Sequence, residues 1–256
     1  MQPLILHART ASCATLTLNR PDKFNALSEE LLAALTAELN ALANDASVRC
    51  VVLAGAGKAF CAGHDLAQMQ ASRSLDTYRA LFAACAQVME AIARLPVPVI
   101  ARVHGVATAA GCQLVGACDL AIAADTARFA VSGINVGLFC STPAVALSRN
   151  VSAKRAFEML VTGDFIDAAT AQDWGLINHA VAPEDLDAAL DGLVAKICEK
   201  SPDAIRRGKA LFHAQRELPR TEAYALAAEV MAQNMMDEST HEGIQAFLEK
   251  RPPNWA

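Results

Sequence analysis

Ala59-Phe60-Cys61-Ala62-Gly63-His64-Asp65-Leu66 and Gly105-Val106-Ala107-Thr108-Ala109-Ala110-Gly111-Cys112-Gln113-Leu114 are the two stretches on which the reading of this chain turns. Each follows an apolar run with strand character, bends on small residues and enters a helical pattern. A strand that ends in a tight turn and feeds a helix leaves backbone N–H donors unpaired at the helix start, where the helix dipole also favours negative charge. Two such turns facing one another would form an oxyanion hole. The Ala, Thr and Gly residues at 107–111 leave the backbone open to a ligand carbonyl, because no bulky side chain stands in its way. Tight packing of a helix on a sheet accounts for the same run, and on spacing alone it is the simpler account.

Outward from these turns, the pattern predicts strands over 4–8 and 14–19, then a helix with Ser28 as N-cap and Glu29 and Glu30 in its first turn. Leu31, Leu32, Leu35, Leu39 and Leu42 line one face of that helix. A buried strand over 49–53 leads into the first turn. A long helix over 75–95 stops at Pro96-Val97-Pro98, where two prolines forbid its continuation. A strand over 99–103 leads to the second turn, a helix over 109–117 follows it, and another strand spans 119–123. Beyond Thr142 the pattern is mainly helical, with one short strand near 178–181. Alternating strands and helices followed by helices place the chain in the α/β class, with a helical tail.

Composition agrees with a protein that builds a core. The 256 residues are 54% hydrophobic but only 5% aromatic, which favours closely packed helices and strands over aromatic-rich binding surfaces. The net charge of −5 and the lack of any Lys or Arg run exclude a nucleic-acid or membrane-surface footprint. The eight cysteines (13, 50, 61, 85, 112, 118, 140 and 198) show no C-x-x-C spacing and sit mostly in apolar segments, so they read as reduced, buried small hydrophobes with no metal site. The start Met1-Gln2-Pro3-Leu4-Ile5-Leu6-His7 has neither the basic flank nor the apolar length of a signal peptide, and no stretch approaches a membrane span. The expected compartment is the cytoplasm, or the mitochondrial matrix if a transit peptide has been removed.

The order Asn19-Arg20-Pro21, Asn25-Ala26-Leu27, the 59–66 turn and the 105–120 segment ending Cys118-Asp119-Leu120 resembles the enoyl-CoA hydratase/isomerase (crotonase) superfamily. The resemblance continues through Thr162-Gly163, Ala168 to Ala171, Trp174-Gly175-Leu176 and the tail from Gly243 to Arg251, so it covers nearly the whole chain. The Gly63-His64-Asp65 turn and the Val136–Pro143 loop look most like the mitochondrial enoyl-CoA hydratase domain-containing proteins of that superfamily. The resemblance implies a spiral of ββα units over 1–195 that binds acyl-CoA. It also implies a C-terminal helical region over 196–256 that packs between subunits of a homotrimer or a hexamer formed as a dimer of trimers. It implies a coenzyme A thioester as substrate and no permanently bound cofactor. The hole donors become the backbone N–H groups of His64 and Ala110. Lys23 and Phe24 fall near the adenine and ribose phosphate, the backbone of Ala62, Gly63, His64, Asp65 and Leu66 borders the adenine and pantetheine, and Phe247 and Lys250 contribute from the tail.

Two departures bear on the chemistry. Hydratases of the superfamily hold the attacking water and exchange protons through two glutamates, one three residues after the hole glycine and one in the next loop. The first position here is Gln113, and aligning Phe129–Ile134 with the pattern puts the second at Gly133. Glutamine orients a water but has no proton to exchange near neutral pH, and glycine offers no side chain. The family's double-bond isomerases usually keep a carboxylate at the second position, so Gly133 counts against that activity too. Proton chemistry is therefore put in question, while thioester binding and enolate stabilisation are not. Three readings follow, namely a hydratase-like lyase, a malonyl-type acyl-CoA decarboxylase whose departing carboxylate itself generates the enolate, and a non-catalytic acyl-CoA-binding protein.

Other residues have plainer readings. The His64 ring reads first as a cap for backbone groups at a helix start and second as a ligand for a substrate carboxylate or carbonyl. Asp65 is an N-cap, Asp119 is structural, and His104 is a hydrogen-bonded core histidine. Cys140 packs and caps the following helix. Ser132, Asn135 and Tyr78 are candidate polar groups for an acyl pocket.

Overall fold

Runs that are apolar at every position, such as Cys50-Val51-Val52-Leu53-Ala54 and Leu120-Ala121-Ile122-Ala123-Ala124, form parallel strands covered on both faces. The computed structural model describes residues 2–255. The chain opens with β1 (Ile5–Arg9), β2 (Cys13–Leu18), α1 (Glu29–Ala43), β3 (Cys50–Gly55), β4 (Ala59–Cys61), α2 (Leu66–Ala71) and α3 (Leu75–Arg94). It continues through β5 (Val99–Val103), β6 (Val106–Thr108), α4 (Ala110–Ala117), β7 (Leu120–Ala124), β8 (Arg128–Ala130), α5 (Ser141–Ser148) and α6 (Ala153–Thr162). It closes with β9 (Ile166–Asp167), α7 (Ala168–Asp173), β10 (His179–Val181), α8 (Leu186–Cys198), α9 (Pro202–Gln215), α10 (Arg220–Asn234) and α11 (Glu238–Glu249).

Two sheets result. One has the order β1-β2-β3-β5-β7-β10 and the other β4-β6-β8-β9. From β2 to β10 the larger sheet is parallel, and only β1 runs antiparallel. Each turn of the chain lays one strand in the larger sheet, the next in the smaller sheet and then a helix. This repeats as β3-β4, β5-β6 and β7-β8, and it is the ββα spiral expected from the resemblance. Side chains of β3 alternate between faces. Val51 and Leu53 join the main core with the α1 leucines and with Leu81, Cys85, Val88 and Ile92 of α3, whereas Cys50 and Val52 pack on the far face against Leu186 and Leu190 of α8.

The strands of the larger sheet and helices α1, α3 and α4 fall within a residue or two of their expected positions. The smaller sheet was not foreseen, because strands of two or three residues are too short to display a period of two. Asp119 is structural, as read. Its carboxylate accepts the Val99 N–H at 2.7 Å, meets Lys209 Nζ at 2.6 Å and pairs with His213 at 2.8 Å. Lys209 also donates to the carbonyls of Ile92 and Val97. This buried ion pair pins α9 to the spiral. The cysteines are unpaired and all but Cys198 are buried, with burial pushing the thiols of Cys61, Cys85 and Cys112 up to about 12. No helix among the described residues is long and apolar enough to cross a membrane.

Candidate active site

The first turn is set by Asn25, which is fully buried with φ of 55°. Its amide donates to the carbonyls of Ala56, Ala59 and Phe60 at 2.8, 2.8 and 3.1 Å, and its oxygen accepts the Arg20 N–H at 2.9 Å. That knot fixes the entry to β4. Leu27 then clasps the chain on both sides of His64, donating to the Gly63 carbonyl at 2.7 Å and accepting the Asp65 N–H at 3.1 Å. Between the two clasps, the N–H of His64 has no acceptor among the described residues. Asp65 is the N-cap of α2, accepting the N–H groups of Ala67 and Gln68, while its other oxygen meets Arg20 at 2.9 Å. The Arg20 guanidinium holds the Asp65 carboxyl below its ordinary value. Asp65 is thus committed to structure.

The second turn carries strain. Ala109 sits at φ 50°, ψ −119°, a region that a residue with a Cβ rarely enters, and it is held there by its N–H bond to the Ala130 carbonyl at 2.9 Å. Ala110 is the first residue of α4, so its N–H has no partner within the helix, and no side chain caps it. The two turns touch. A Cβ added at Gly63 (φ 92°) would lie 2.8 Å from Ala109 Cβ, 3.1 Å from the Thr108 carbonyl and 3.3 Å from Ala110 N. A Cβ at Gly111 would fall 2.1 Å from the Cys61 carbonyl. The small residues that permit this tight packing thus also bring together the turns that carry the unpaired His64 and Ala110 N–H groups.

Over this junction opens a cavity of about 430 Å³, walled by Ala62, His64, Leu66, Met69, Phe82, Ala109, Ala110, Ser132, Gly133, Val136 and the 138–143 segment. No Asp, Glu, Lys or Arg lines it. The His64 ring lies 5.4 Å from the Phe82 ring, and its Nε2 is buried with no partner. Burial pushes the His64 pKa down, so the ring is a neutral imidazole. It caps no backbone group, which corrects the first reading of this side chain. Ser132 lines the cavity with its hydroxyl 2.8 Å from that of Thr108. A Cβ at Gly133 would meet the Leu138 carbonyl at 2.5 Å and Cys140 Sγ at 2.8 Å, because the loop after Gly133 folds back to bond Leu138 N–H to the Gly133 carbonyl at 3.0 Å.

Residues 8–256 match the enoyl-CoA hydratase/isomerase family. Enoyl-CoA hydratase domain-containing protein 3, mitochondrial, from Xenopus laevis is 41% identical over 253 residues, 99% of this chain and 86% of the relative. A crystal structure of an enoyl-CoA hydratase from Mycobacterium smegmatis superposes with a TM-score of 0.98 at 61% identity, covering 99% of both chains. The crystal structure of human enoyl-CoA hydratase domain-containing protein 3 superposes with a TM-score of 0.96 at 38% identity, over 99% of this chain and 100% of that one. The chain belongs to the enoyl-CoA hydratase/isomerase family.

Within that family frame, the residues expected at the site separate into groups. Ala62, His64, Leu66, Ala110 and Gly133 line the cavity, and Gly63 and Asp65 back it. Gln113 is absent from the lining. Its side chain is 5% exposed, borders a second cavity of about 760 Å³ and has its Oε1 4.0 Å from Cys85 Sγ. Lys23 and Phe24 are exposed on the loop whose Phe24 carbonyl accepts the Ala62 N–H at 3.0 Å. Phe247, 81% exposed, and Lys250 stand at the end of α11 and do not wall the cavity of their own chain. Tyr78 donates to the Met69 carbonyl, Asn135 is not in the lining, Cys140 makes no side-chain cap, and half-buried His104 bonds the Gly57 carbonyl at 2.9 Å. Met69, Phe82, Leu138 and Phe139 were not foreseen as wall residues. Their apolar character is indistinguishable from core in the sequence, and only the fold brings them to one cavity.

Proposed function

We propose that the protein is an acyl-CoA thioester enzyme that stabilises a thioester enolate between the N–H groups of His64 and Ala110. The observation that carries this reading is the pair of unpartnered donors on touching turns at one apolar cavity. In such a site, donors fixed before the reaction act on developing negative charge without reorganising, and α4 adds its dipole. Lys23 and Phe24 meet the nucleotide end, and the 62–66 backbone flanks the pantetheine arm. Phosphate attraction there weakens as salt rises. The exposed Tyr224 and Met231 on α10, Met236 in the turn after it, and Phe247 and Leu248 on α11 favour a homotrimer or hexamer in which this region is covered. The names of the relatives favour a lyase of hydratase type, and that of the Xenopus laevis relative a mitochondrial one; we read the protein as acting on acyl-CoA without a permanent cofactor, in the matrix or the cytoplasm.

A second reading, malonyl-type decarboxylation, is favoured by the lining itself. It holds no carboxylate to act as acid and base on water, and the loop at Gly133 leaves no room for one. Decarboxylation needs none for its first step. The bond between the α-carbon and the carboxylate breaks, its electron pair passes into the thioester carbonyl as an enolate held by the hole, and carbon dioxide leaves. An apolar lining with a neutral imidazole destabilises the bound carboxylate and so favours its loss. Purified protein incubated with crotonyl-CoA and with methylmalonyl-CoA, read by mass spectrometry together with thioester binding, tests both. Water gain on crotonyl-CoA supports the hydratase, loss of carbon dioxide supports the decarboxylase, binding without turnover leaves a non-catalytic acyl-CoA-binding protein, and no binding removes the proposal.

A further inference from the structure

The parallel register of β2 and β3 sets Cys13 directly opposite Cys50. Neighbouring strands lie about 4.7–4.9 Å apart, which falls within the Cα separation of roughly 4.4–6.8 Å that a disulfide spans. Both side chains point to the same face of the larger sheet, where they pack with Leu186 and Leu190 of α8. The last residue of that helix brings a third sulfur, Cys198, close enough to Cys50 to influence its titration. Burial alone does not account for the pair. It pushes the thiols of Cys61, Cys85 and Cys112 up, whereas hydrogen bonding with Cys50 pulls the Cys13 thiol below its ordinary value, against its own burial and the charge of Asp191. The same bond pushes the Cys50 thiol up. One sulfur is thus biased toward thiolate, the nucleophilic form, while the other keeps its proton. Cys13 is also the member nearer to solvent, 7% exposed at the start of β2 after the exposed bend at Ala11, against 0% for Cys50.

We infer that Cys13 and Cys50 form a redox-modification site, a dithiol that a peroxide converts into a disulfide joining β2 to β3. The Cys13 thiolate attacks one peroxide oxygen, the O–O bond breaks, and the hydroxide released takes a proton and leaves as water. The Cys50 sulfur, giving up its proton, then attacks the resulting sulfenic sulfur. An S–S bond forms, the S–O bond breaks, and a second water departs. Two thiols and one hydrogen peroxide become one disulfide and two waters, so the two sulfurs are oxidised and the two peroxide oxygens reduced. In a compartment rich in reduced thiols the bond is transient and reports exposure to oxidant. Closing residues 13–50 into a loop encloses α1 and the Asn25 knot that fixes the entry to β4, and it withdraws freedom from the unfolded chain. Oxidation is therefore a staple on the scaffold beneath the first turn. Neither sulfur lines the acyl cavity, so the inference is independent of the thioester reading.

The test exposes the reduced full-length protein to hydrogen peroxide under native conditions, alkylates the remaining thiols and maps proteolytic peptides by mass spectrometry. A linked peptide pair holding Cys13 and Cys50, two hydrogens lighter than its parts and released by dithiothreitol, is expected. The thermal midpoint of the oxidised protein should rise by about 4–16 °C and return on reduction. Cys198→Ser is expected to keep both the link and the rise, and Cys13→Ser and Cys50→Ser to lose both. The wild-type map decides the matter even where a variant folds poorly. Absence of the link in the folded protein, its appearance only in denaturant, or linkage of Cys50 to Cys198 in its place overturns the site.

Discussion

Adding one carbon at Gly133 separates two physical effects of opposite sign. In open backbone, Gly→Ala stabilises by about 0.4–1 kcal/mol, because the unfolded chain loses freedom. At Gly133 the added Cβ meets a carbonyl oxygen, that of Leu138, at 2.5 Å, and Cys140 Sγ at 2.8 Å. The carbonyl is backbone, held by a loop that closes on Gly133 itself, so it does not swing aside as a side-chain tip would. Overpacking of this kind costs about 1–3 kcal/mol, and at roughly 2–4 °C per kcal/mol for a chain of this size the midpoint should fall by about 2–12 °C. Gly192→Ala supplies the control, since Gly192 lies inside α8 with nothing within 4 Å of an added Cβ. It should gain up to about 1 kcal/mol. Thermal unfolding followed by circular dichroism reads both. A midpoint that rises for Gly133→Ala as it does for Gly192→Ala would refute the argument that the 133–140 loop has closed over the second carboxylate position. Gly133→Glu carries the same collision, so it is expected to lower stability without conferring water addition to crotonyl-CoA.

Relief of strain at Ala109 (φ 50°, ψ −119°) should make Ala109→Gly more stable by about 1 kcal/mol, visible as a raised denaturation midpoint. Ala110→Pro deletes the N–H proposed above as a hole donor, at the first position of a helix where proline is tolerated, so turnover should drop by about 2.7–4 kcal/mol of transition-state stabilisation while the circular dichroism spectrum is retained. His64 has a folded pKa below its ordinary 6.5, so the unfolded chain takes up the proton first as pH falls. Its contribution to stability is present above about 6.5 and is lost as pH drops below it, and His64→Phe should flatten the fall in melting temperature between pH 7.5 and 5.5.

How much of this molecule is legible in its sequence depends on the length over which a pattern runs. Leu31 to Leu42 repeat at helical spacing over three turns, and β3, β5 and β7 are apolar at nearly every residue, so the larger sheet and its helices can be read directly. The smaller sheet hides in Ala59–Cys61, Val106–Thr108, Arg128–Ala130 and Ile166–Asp167, each too short for periodicity and each placed by pairing with distant strands. Asn25 illustrates the same limit at a single residue. Its type and its neighbours Ala26 and Leu27 were recognisable, but three bonds to the 56–60 segment arise only when the chain has closed.

The site divides along the same line. Turn chemistry is local, so the two small-residue bends at Gly63 and at Ala109–Ala110 are readable in the sequence, whereas their contact arises only from the pairing of β4 with β6. Side-chain direction is not local. Gln113 sits three residues after Ala110, yet on a helix that advances about 100° per residue its neighbours are chosen by what α3 presents, and here α3 presents Cys85. A carboxylate at 113 in this chain would lie about 4 Å from a buried thiol whose own pKa burial has pushed up to about 12, and the same burial would disfavour its charged form. Glutamine keeps the shape and the hydrogen-bonding oxygen while avoiding that buried charge. A closed loop that leaves no room for a side chain at 133 and a neutral amide at 113 outside the lining therefore have one consequence, an apolar cavity in which the unpaired backbone N–H groups of His64 and Ala110 are the polar groups available to the enolate proposed above.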